Sequence, residues 1–96
     1  MIVSFSDDAT ADLYHGRSTN RIRRFPPTLR RVALRKLDML NAAYRINDLR
    51  EPPGNHLEVL KGELAGYRSI RVNDQWRVVF RWEDSNAYEV ALTDYH

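Results

Sequence analysis

Cysteine is absent from this sequence of 96 residues. Its absence excludes disulfide bonds, thiolate metal sites and cysteine nucleophiles, and it suits a reducing compartment. No apolar run approaches the ~20 residues that a membrane-spanning helix needs. Residues 1–8 also lack the basic and apolar regions of a secretory signal. We therefore expect a cytoplasmic protein without membrane association.

Glycine is scarce, with four residues, and none of them belongs to a Gly-rich phosphate loop. The three histidines, His15, His56 and His96, are far apart in sequence, so the spacing typical of metal ligands is missing. We expect no metal ion and no cofactor. Hydride-transfer, acyl-transfer and kinase chemistry have no motif to support them.

Charge of one sign is unevenly distributed, although the formal net charge is only +2. The segment 21–36 contains no acidic residue and seven basic ones: Arg21, Arg23, Arg24, Arg30, Arg31, Arg35 and Lys36. Such a run is typical of a solvated helix face. It is also the electrostatic footprint of a protein that binds a polyanion or an acidic partner. The charge run alone leaves both interpretations open.

Hydrophobic periodicity predicts one α+β domain over residues 1–96: an N-terminal strand, two helices and then a twisted antiparallel sheet. The apolar residues at positions 2, 3 and 5 predict the strand, and Asp7 or Asp8 can cap a first helix that stops near Gly16. A second helix is predicted from Pro27 to Tyr44, with Lys36 as the only polar residue on its apolar face. Residues 49–54 are predicted to form a loop.

From residue 56 onward the apolar residues alternate with a period of two, which predicts three half-buried antiparallel strands. The last strand is predicted to place Tyr88 on the same face as Val90 and Leu92. A three-residue turn at 73–75 would pair position 72 with 76 and position 70 with 78. The same register sets Arg71 opposite Arg77, which is tolerable if an anion lies beside them or if both side chains splay into solvent.

Several polar side chains are predicted at the second face of this sheet or at its ends: His56, Glu58, Lys61, Arg71, Arg77, Asp94, Tyr95 and His96. Strand parity places Tyr95 on the side of Arg77. RNA can be cut without metal when a base deprotonates the 2′-hydroxyl, an acid protonates the leaving 5′-oxygen, and cations stabilise the phosphoryl oxygens. Arginine suits the last role because its planar fork binds two phosphate oxygens.

Each of these residues also has a purely structural interpretation. Lys61 can be a solvated strand end, Arg77 can pair with Glu89 or stack on an aromatic ring, and the last two residues can be a packing lid and a frayed terminus. The residues themselves therefore predict a face that handles anions.

Three motifs carry a more specific message: His56-Leu57-Glu58-Val59-Leu60-Lys61-Gly62, Trp76-Arg77-Val78-Val79-Phe80, and the terminal Thr93-Asp94-Tyr95-His96. Together with the Met-Ile-x-Ser-Phe start, they closely resemble the HigB toxins of the RelE superfamily, and the similarity covers essentially the whole chain. The resemblance implies a compact fold like that of microbial ribonucleases. It also implies a ribosome-dependent endoribonuclease that cleaves mRNA in the ribosomal A site and so inhibits translation.

The resemblance also implies partners and residue roles. A HigA-like helix-turn-helix antitoxin would restrain the toxin, and DNA would be contacted only through that antitoxin. Lys61 and Arg77 would bind the scissile phosphate, Tyr95 would orient the target nucleotide, and Asp94 and His96 would assist positioning or proton transfer. Ribosomal RNA or the antitoxin would meet the basic side chains, for which we select Arg30, Arg31 and Arg35, with Arg71 and His56 nearer the phosphate.

One position departs from the family pattern. Some members have histidine where this chain has Glu58, and here a histidine stands two residues earlier, at His56. The general base therefore stays open among Glu58, His56, Lys61 and His96. Two other classes of protein fit the same residues: a binding module that grips RNA or a protein without cutting, and a catalytically dead relative that serves as a regulatory subunit.

Overall fold

The computed structural model describes residues 1–94, and Tyr95 and His96 lie outside the described residues. Two helices precede a four-stranded antiparallel sheet with strand order β1-β2-β3-β4. The elements are α1 (Asp8–Tyr14), α2 (Pro27–Ala42), β1 (Glu58–Val59), β2 (Tyr67–Arg71), β3 (Trp76–Glu83) and β4 (Asn86–Asp94). Short 3-10 turns occupy Asn20–Arg24, Ile46–Arg50, Pro53–Asn55 and Gly62–Leu64. None of the helices within residues 1–94 is long and apolar enough to cross a bilayer.

The ends of both helices follow from local hydrogen bonds. Asp7 caps α1 because its side chain accepts the backbone N–H of Thr10 at 2.7 Å. Helix α2 begins at the predicted Pro27 but ends at Ala42, two residues before the predicted Tyr44. The Asp48 carboxylate accepts the backbone N–H groups of residues 44 and 45 at 3.0 and 2.9 Å. These two bonds lower the pKa of Asp48 and turn the chain away from the helix axis.

One apolar cluster joins α2 to the sheet. Leu29, Ala33, Leu37 and Leu40 of α2 are buried, as the helical spacing predicts. They belong to the same cluster as the alternate residues Ile70, Val78, Phe80 and Leu92 of three strands. The buried Phe25 lies before α2 and contacts the Trp76 ring edge to face, with 5.6 Å between the centroids. The helices thus cover one face of the sheet.

The predicted register of the first hairpin is confirmed. The carbonyl of Trp76 accepts the N–H groups of residues 72 and 73, Ile70 lies opposite Val78, and Arg71 lies opposite Arg77. The apolar side chains of β2 and β3 therefore share the helix-covered face. Their polar neighbours share the other face, which is described below.

The second hairpin departs from simple alternation. The register of β3 and β4 shifts between Val79 and Arg81, and Glu89 adopts a left-handed conformation with φ 53°. One extra residue in β4 forms a β-bulge, which reverses the facing of every residue on one side of it. The prediction that Tyr88 shares a face with Val90 is therefore wrong. Ala87 enters the core instead of Tyr88. The Tyr88 ring lies against the Arg81 guanidinium, with 5.0 Å between Cζ of Arg81 and the ring centroid.

The N-terminal segment runs beside β4, where the sequence predicts a strand. It forms two isolated parallel bridges, Ile2 with Ala87 and Phe5 with Val90. Backbone hydrogen bonds from Val3 to Ala87 and from Val90 to Ser4, at 2.8 and 3.0 Å, accompany the bridges. The predicted loop at 49–54 contains parts of two 3-10 turns.

Candidate functional site

The face of the sheet that the helices leave uncovered carries three of the candidate residues, Glu58, Arg71 and Arg77. We call it the outer face, and it is formed by Ser69, Arg71, Arg77, Val79, Arg81, Ala91 and Thr93. Directly opposed residues of neighbouring antiparallel strands point to the same side. Arg77 lies between Arg71 of β2 and Thr93 of β4, and Val79 faces Ala91. The predicted parity of Arg77 with Ala91 and Thr93 is confirmed.

Arg77 is buried although it lies on this face. The residue is 8% exposed, and its guanidinium is held by several acceptors at once. Nε donates to the Ser69 hydroxyl at 2.7 Å, and Nη2 donates to the backbone carbonyls of His56 at 2.6 Å and of Ser69 at 3.4 Å. These hydrogen bonds fix the planar guanidinium in one orientation.

Two residues of the segment before and within β1 complete the surroundings of Arg77. His56 is left-handed, with φ 42°, which turns its carbonyl toward the guanidinium. Glu58 pairs with Ser69 across the strands and so points to the outer face. Its Oε1 lies 3.8 Å from Nη2 of Arg77, and about half of its side chain is exposed. A solvent-accessible carboxylate is therefore placed beside the fixed cation.

The second arginine of the opposed pair has a different partner. Arg71 forms an ion pair with Asp74 of the turn, and 37% of its side chain is exposed. Each arginine thus has its own oxygen acceptors, which relieves the repulsion that the register predicts. The two guanidinium groups neither splay freely into solvent nor need an anion between them.

The remaining strand-end candidates, Lys61 and Asp94, have other surroundings than the acceptors of Arg77 described above. Lys61 is exposed and directly precedes the turn Gly62–Leu64, and within residues 1–94 its ammonium has no hydrogen-bond or ion-pair partner. Asp94 lies opposite Trp76 and therefore on the other side of the sheet from Arg77. Its carboxylate accepts a hydrogen bond from Gln75 Nε2 at 2.9 Å. Tyr95 and His96 lie outside the described residues, so their predicted positions stay predictions.

The basic residues of α2 form a surface that extends toward the sheet. Arg31 and Arg35 are exposed, whereas Arg30 is half-buried and donates from Nε to the carbonyl of Phe25 at 3.0 Å. Burial lowers the pKa of Lys36, and the nearby positive charges of Arg35 and Arg71 lower it further. These three cations are therefore neighbours. They connect the exposed side of α2 with the edge of the outer face.

An open pocket of about 260 Å³ lies on the outer face, and Thr93, one of its lining residues, pairs with Arg77 across the strands. Its walls are mostly apolar and come from Ser6, Leu64, Tyr67, Val79, Glu89, Ala91 and Thr93. Arg81, and then Tyr67, hold the pKa of the Glu89 carboxyl below its usual value through hydrogen bonds. Burial raises the pKa of the Tyr67 phenol, and the Glu89 carboxylate raises it further. The pocket is thus lined at one end by a phenol and an ionised carboxylate.

Ser69 and the carbonyl of His56 are the parts of this site that the sequence did not indicate. Ser69 is diagonal to Arg77 in the predicted hairpin register, so that register contained the signal for it. The inward direction of the His56 carbonyl has no such signal in the sequence, because it depends on a left-handed backbone conformation that a non-glycine residue rarely adopts.

Comparison with known proteins decides the family. Residues 3–96 match the family described as the RelE-like toxin of type II toxin-antitoxin system HigB. The chain belongs to the HigB toxin family. It is 40% identical over 95 residues to Toxin HigB-1 of Vibrio cholerae, covering 99% of this chain and 94% of that protein. It is 42% identical over 40 residues to Endoribonuclease HigB of Proteus vulgaris, covering 42% of this chain and 44% of that one.

Solved structures show the same fold beyond the HigB family. A chain of the YoeB-YefM complex from Staphylococcus aureus superposes with a TM-score of 0.59 at 21% identity, covering 100% of this chain and 98% of that one. A YoeB dimer from the same organism gives a TM-score of 0.58 at 25% identity, covering 99% and 94% of the two chains. The predicted α+β, RelE-like architecture is confirmed.

Proposed function

We propose that this HigB-family toxin is a metal-independent endoribonuclease that acts in the cytoplasm on mRNA in the ribosomal A site and thereby inhibits translation. The observation that carries the proposal is Arg77, a buried cation fixed on the outer face with a carboxylate beside it. Preorganised charge of this kind stabilises a transition state efficiently because little reorganisation is needed during the reaction. A relative of 42% identity over 40 residues is named an endoribonuclease.

Each side chain receives a role in this reaction. Glu58 takes the proton of the 2′-hydroxyl, the 2′-oxygen bonds to the adjacent phosphorus, and the bond from phosphorus to the 5′-oxygen breaks. The products are a 2′,3′-cyclic phosphate and a 5′-hydroxyl, which gains a proton from an acid. Arg77 and Lys61 stabilise the charge on the phosphoryl oxygens. Lys61 or His96 supplies the acid, and Tyr95 orients the nucleotide by stacking.

Glu58 is preferred over His56 as the general base because of geometry. The carboxylate of Glu58 is accessible and lies 3.8 Å from the Arg77 guanidinium. The part of His56 that contacts Arg77 is its backbone carbonyl, and a carbonyl oxygen is far too weak a base to take the proton of a 2′-hydroxyl. We assign Asp94 to positioning, because its carboxylate binds Gln75 on the other side of the sheet.

The ribosome and an antitoxin are the proposed partners. Ribosomal RNA binds the basic surface formed by the exposed Arg31 and Arg35, the half-buried Arg30, and Arg71, because clustered cations attract a phosphate backbone. A HigA-like helix-turn-helix protein holds the toxin inactive, in keeping with the toxin-antitoxin complexes among the structural neighbours. Any contact with DNA is made by that antitoxin.

The decisive experiment compares ribosome-bound mRNA with the same RNA free in solution. We expect the toxin to cut the bound message at positions in phase with the codons and to cut the free RNA poorly. Arg77→Ala should lose the cutting and the growth arrest while it still binds the antitoxin. The control is Arg50→Ala, which removes an exposed arginine bonded to Asn47 and should cut like the original chain. Rapid cutting of free RNA would contradict ribosome dependence, and full activity of Arg77→Ala would contradict the site.

A further inference from the structure

The one polar residue on the apolar face of α2 is bonded to the segment that orients Arg77. Lys36 is half-buried, and its ammonium donates to Oδ1 of Asn55 at 2.5 Å. Burying an ammonium is costly, and an apolar side chain of similar length would fill the same space without that cost. Its presence therefore calls for an explanation other than packing.

Asn55 uses its whole side-chain amide in fixed hydrogen bonds. The residue is 0% exposed, and Nδ2 donates to the carbonyls of Leu49 and Glu51 at 3.1 and 3.2 Å. Its Oδ1 accepts from Lys36, and its backbone N–H donates to the carbonyl of Pro52 at 2.9 Å. Asn55 thus ties the chain between residues 49 and 55 to the middle of α2.

The next residue completes the connection to the site. His56 is left-handed, a conformation that is unfavourable for a residue with a Cβ atom. The anchored Asn55 directly precedes it, and its carbonyl accepts from Arg77 at 2.6 Å. If the Asn55 amide relaxes, the His56 carbonyl moves and the guanidinium loses one of the acceptors that fix its plane.

We infer that Lys36 and Asn55 are positioning residues, which act through the His56 carbonyl to set the orientation of the Arg77 guanidinium. This inference rests on the proposed function, because it assigns Arg77 the task of stabilising the scissile phosphate. Lys36 does not touch the RNA in this arrangement. It acts indirectly, by fixing the orientation of the Arg77 guanidinium on the other side of the sheet.

The test replaces Lys36 with methionine, which keeps the apolar stem and removes the donor. We expect Lys36→Met to fold, to bind the antitoxin and to lose about 10- to 100-fold in kcat on ribosome-bound mRNA with little change in KM, because a small displacement of a catalytic group has effects of this size. Val32→Ala is the matched control, since Val32 packs against the core from the same helix. It should lower the unfolding temperature and leave kcat within about twofold.

A second measurement does not depend on activity. In the original chain the Arg77 guanidinium should give NMR signals of a group with hindered rotation about its Nη bonds. Lys36→Met should free that rotation, Lys36→Arg should restore it in part, and Val32→Ala should leave it unchanged. If Lys36→Met does not fold, Lys36→Gln is measured in the same way.

The two proposals fail in different ways. If the original chain does not cut ribosome-bound mRNA, the proposed function fails, and the NMR comparison alone decides whether Lys36 orients Arg77. If the original chain cuts and Lys36→Met matches it in kcat and in the Arg77 signals, the positioning role is overturned. Equal losses of kcat in Lys36→Met and Val32→Ala would reduce Lys36 to a structural residue.

Discussion

Replacing Ser69 with alanine removes the hydroxyl that accepts a hydrogen bond from Nε of Arg77. Ser69 is fully buried, and its hydroxyl accepts from Nε at 2.7 Å, while only 10% of the Arg77 side chain is exposed. A buried hydrogen bond to a charged group contributes about 1.5–3 kcal/mol, and the orphaned N–H stays away from water. We therefore expect Ser69→Ala to lower the free energy of unfolding by about 2 kcal/mol. For a domain of this size the Tm should fall by roughly 10 °C.

Urea unfolding of four chains measures this effect: the original, Ser69→Ala, Arg77→Met and the double variant. If the two side chains stabilise each other, the double variant should lose less than the sum of the single losses, by about 1.5 kcal/mol or more. The exposed Ser18→Ala is the control and should unfold like the original chain. The same Ser69→Ala preparation should cut mRNA more slowly, because the guanidinium is less firmly held. Additive losses, or an unchanged Tm, would refute the reasoning.

Three further changes test other parts of the molecule. Hydrogen bonds from Thr19 and Arg21 hold the pKa of Asp12 below its usual value, so the ionised carboxylate stabilises the fold above the ordinary aspartate pKa of ~3.9, and this contribution is lost as the pH falls through the lowered pKa. In urea titrations at several pH values, Asp12→Asn should therefore lose less stability on acidification than the original chain, and an equal loss would count against this role. Leu37→Ala, at a fully buried position, should lower the free energy of unfolding by about 2–5 kcal/mol because it leaves a cavity in the core. A loss below about 1 kcal/mol would contradict the close packing of Leu37. Joint replacement of Arg31 and Arg35 by alanine should weaken sedimentation with ribosomes and reduce its salt dependence, whereas an unchanged salt slope would remove these side chains from the interface.

The sequence predicted the parts of the fold that follow from regular alternation. The spacing of apolar residues in α2 and the three-residue turn after β2 were sufficient to set Arg71 opposite Arg77. The end of α2 was not predictable from its own pattern, because the Asp48 carboxylate that diverts the chain lies six residues beyond Ala42. The bulge at Glu89 had no pattern at all, since a left-handed glutamate resembles any other strand residue in sequence.

The site was predictable to the same extent. Parity placed Arg77 on the outer face, and the structure confirms that face through Thr93 and Ala91. The acceptors of the Arg77 guanidinium were not predicted, in part because one of them is the His56 carbonyl, which a rare backbone conformation turns toward Arg77. Asp94 was predicted at the second face of the sheet or at one of its ends, and it is the last residue of β4, where strand alternation directs it to the side away from Arg77. Adjacent residues of a strand cannot share a face, so motif membership and spatial proximity differ here.

The N-terminal segment that runs beside β4 also affects how the molecule behaves in concentrated solution. A sheet edge with unpaired N–H and C=O groups attracts strands of other molecules, and natural proteins cover or shorten such edges. Here residues 1–6 occupy one border through bridges at Ile2 and Phe5, and the opposite border is a strand of only two residues, β1. Deleting residues 1–6 would uncover the β4 border and remove Ser6 from the pocket wall, whereas Ser69 and His56, which hold Arg77, would remain. Such a shortened chain should associate into oligomers and lose solubility, even in solutions where the full chain stays dispersed.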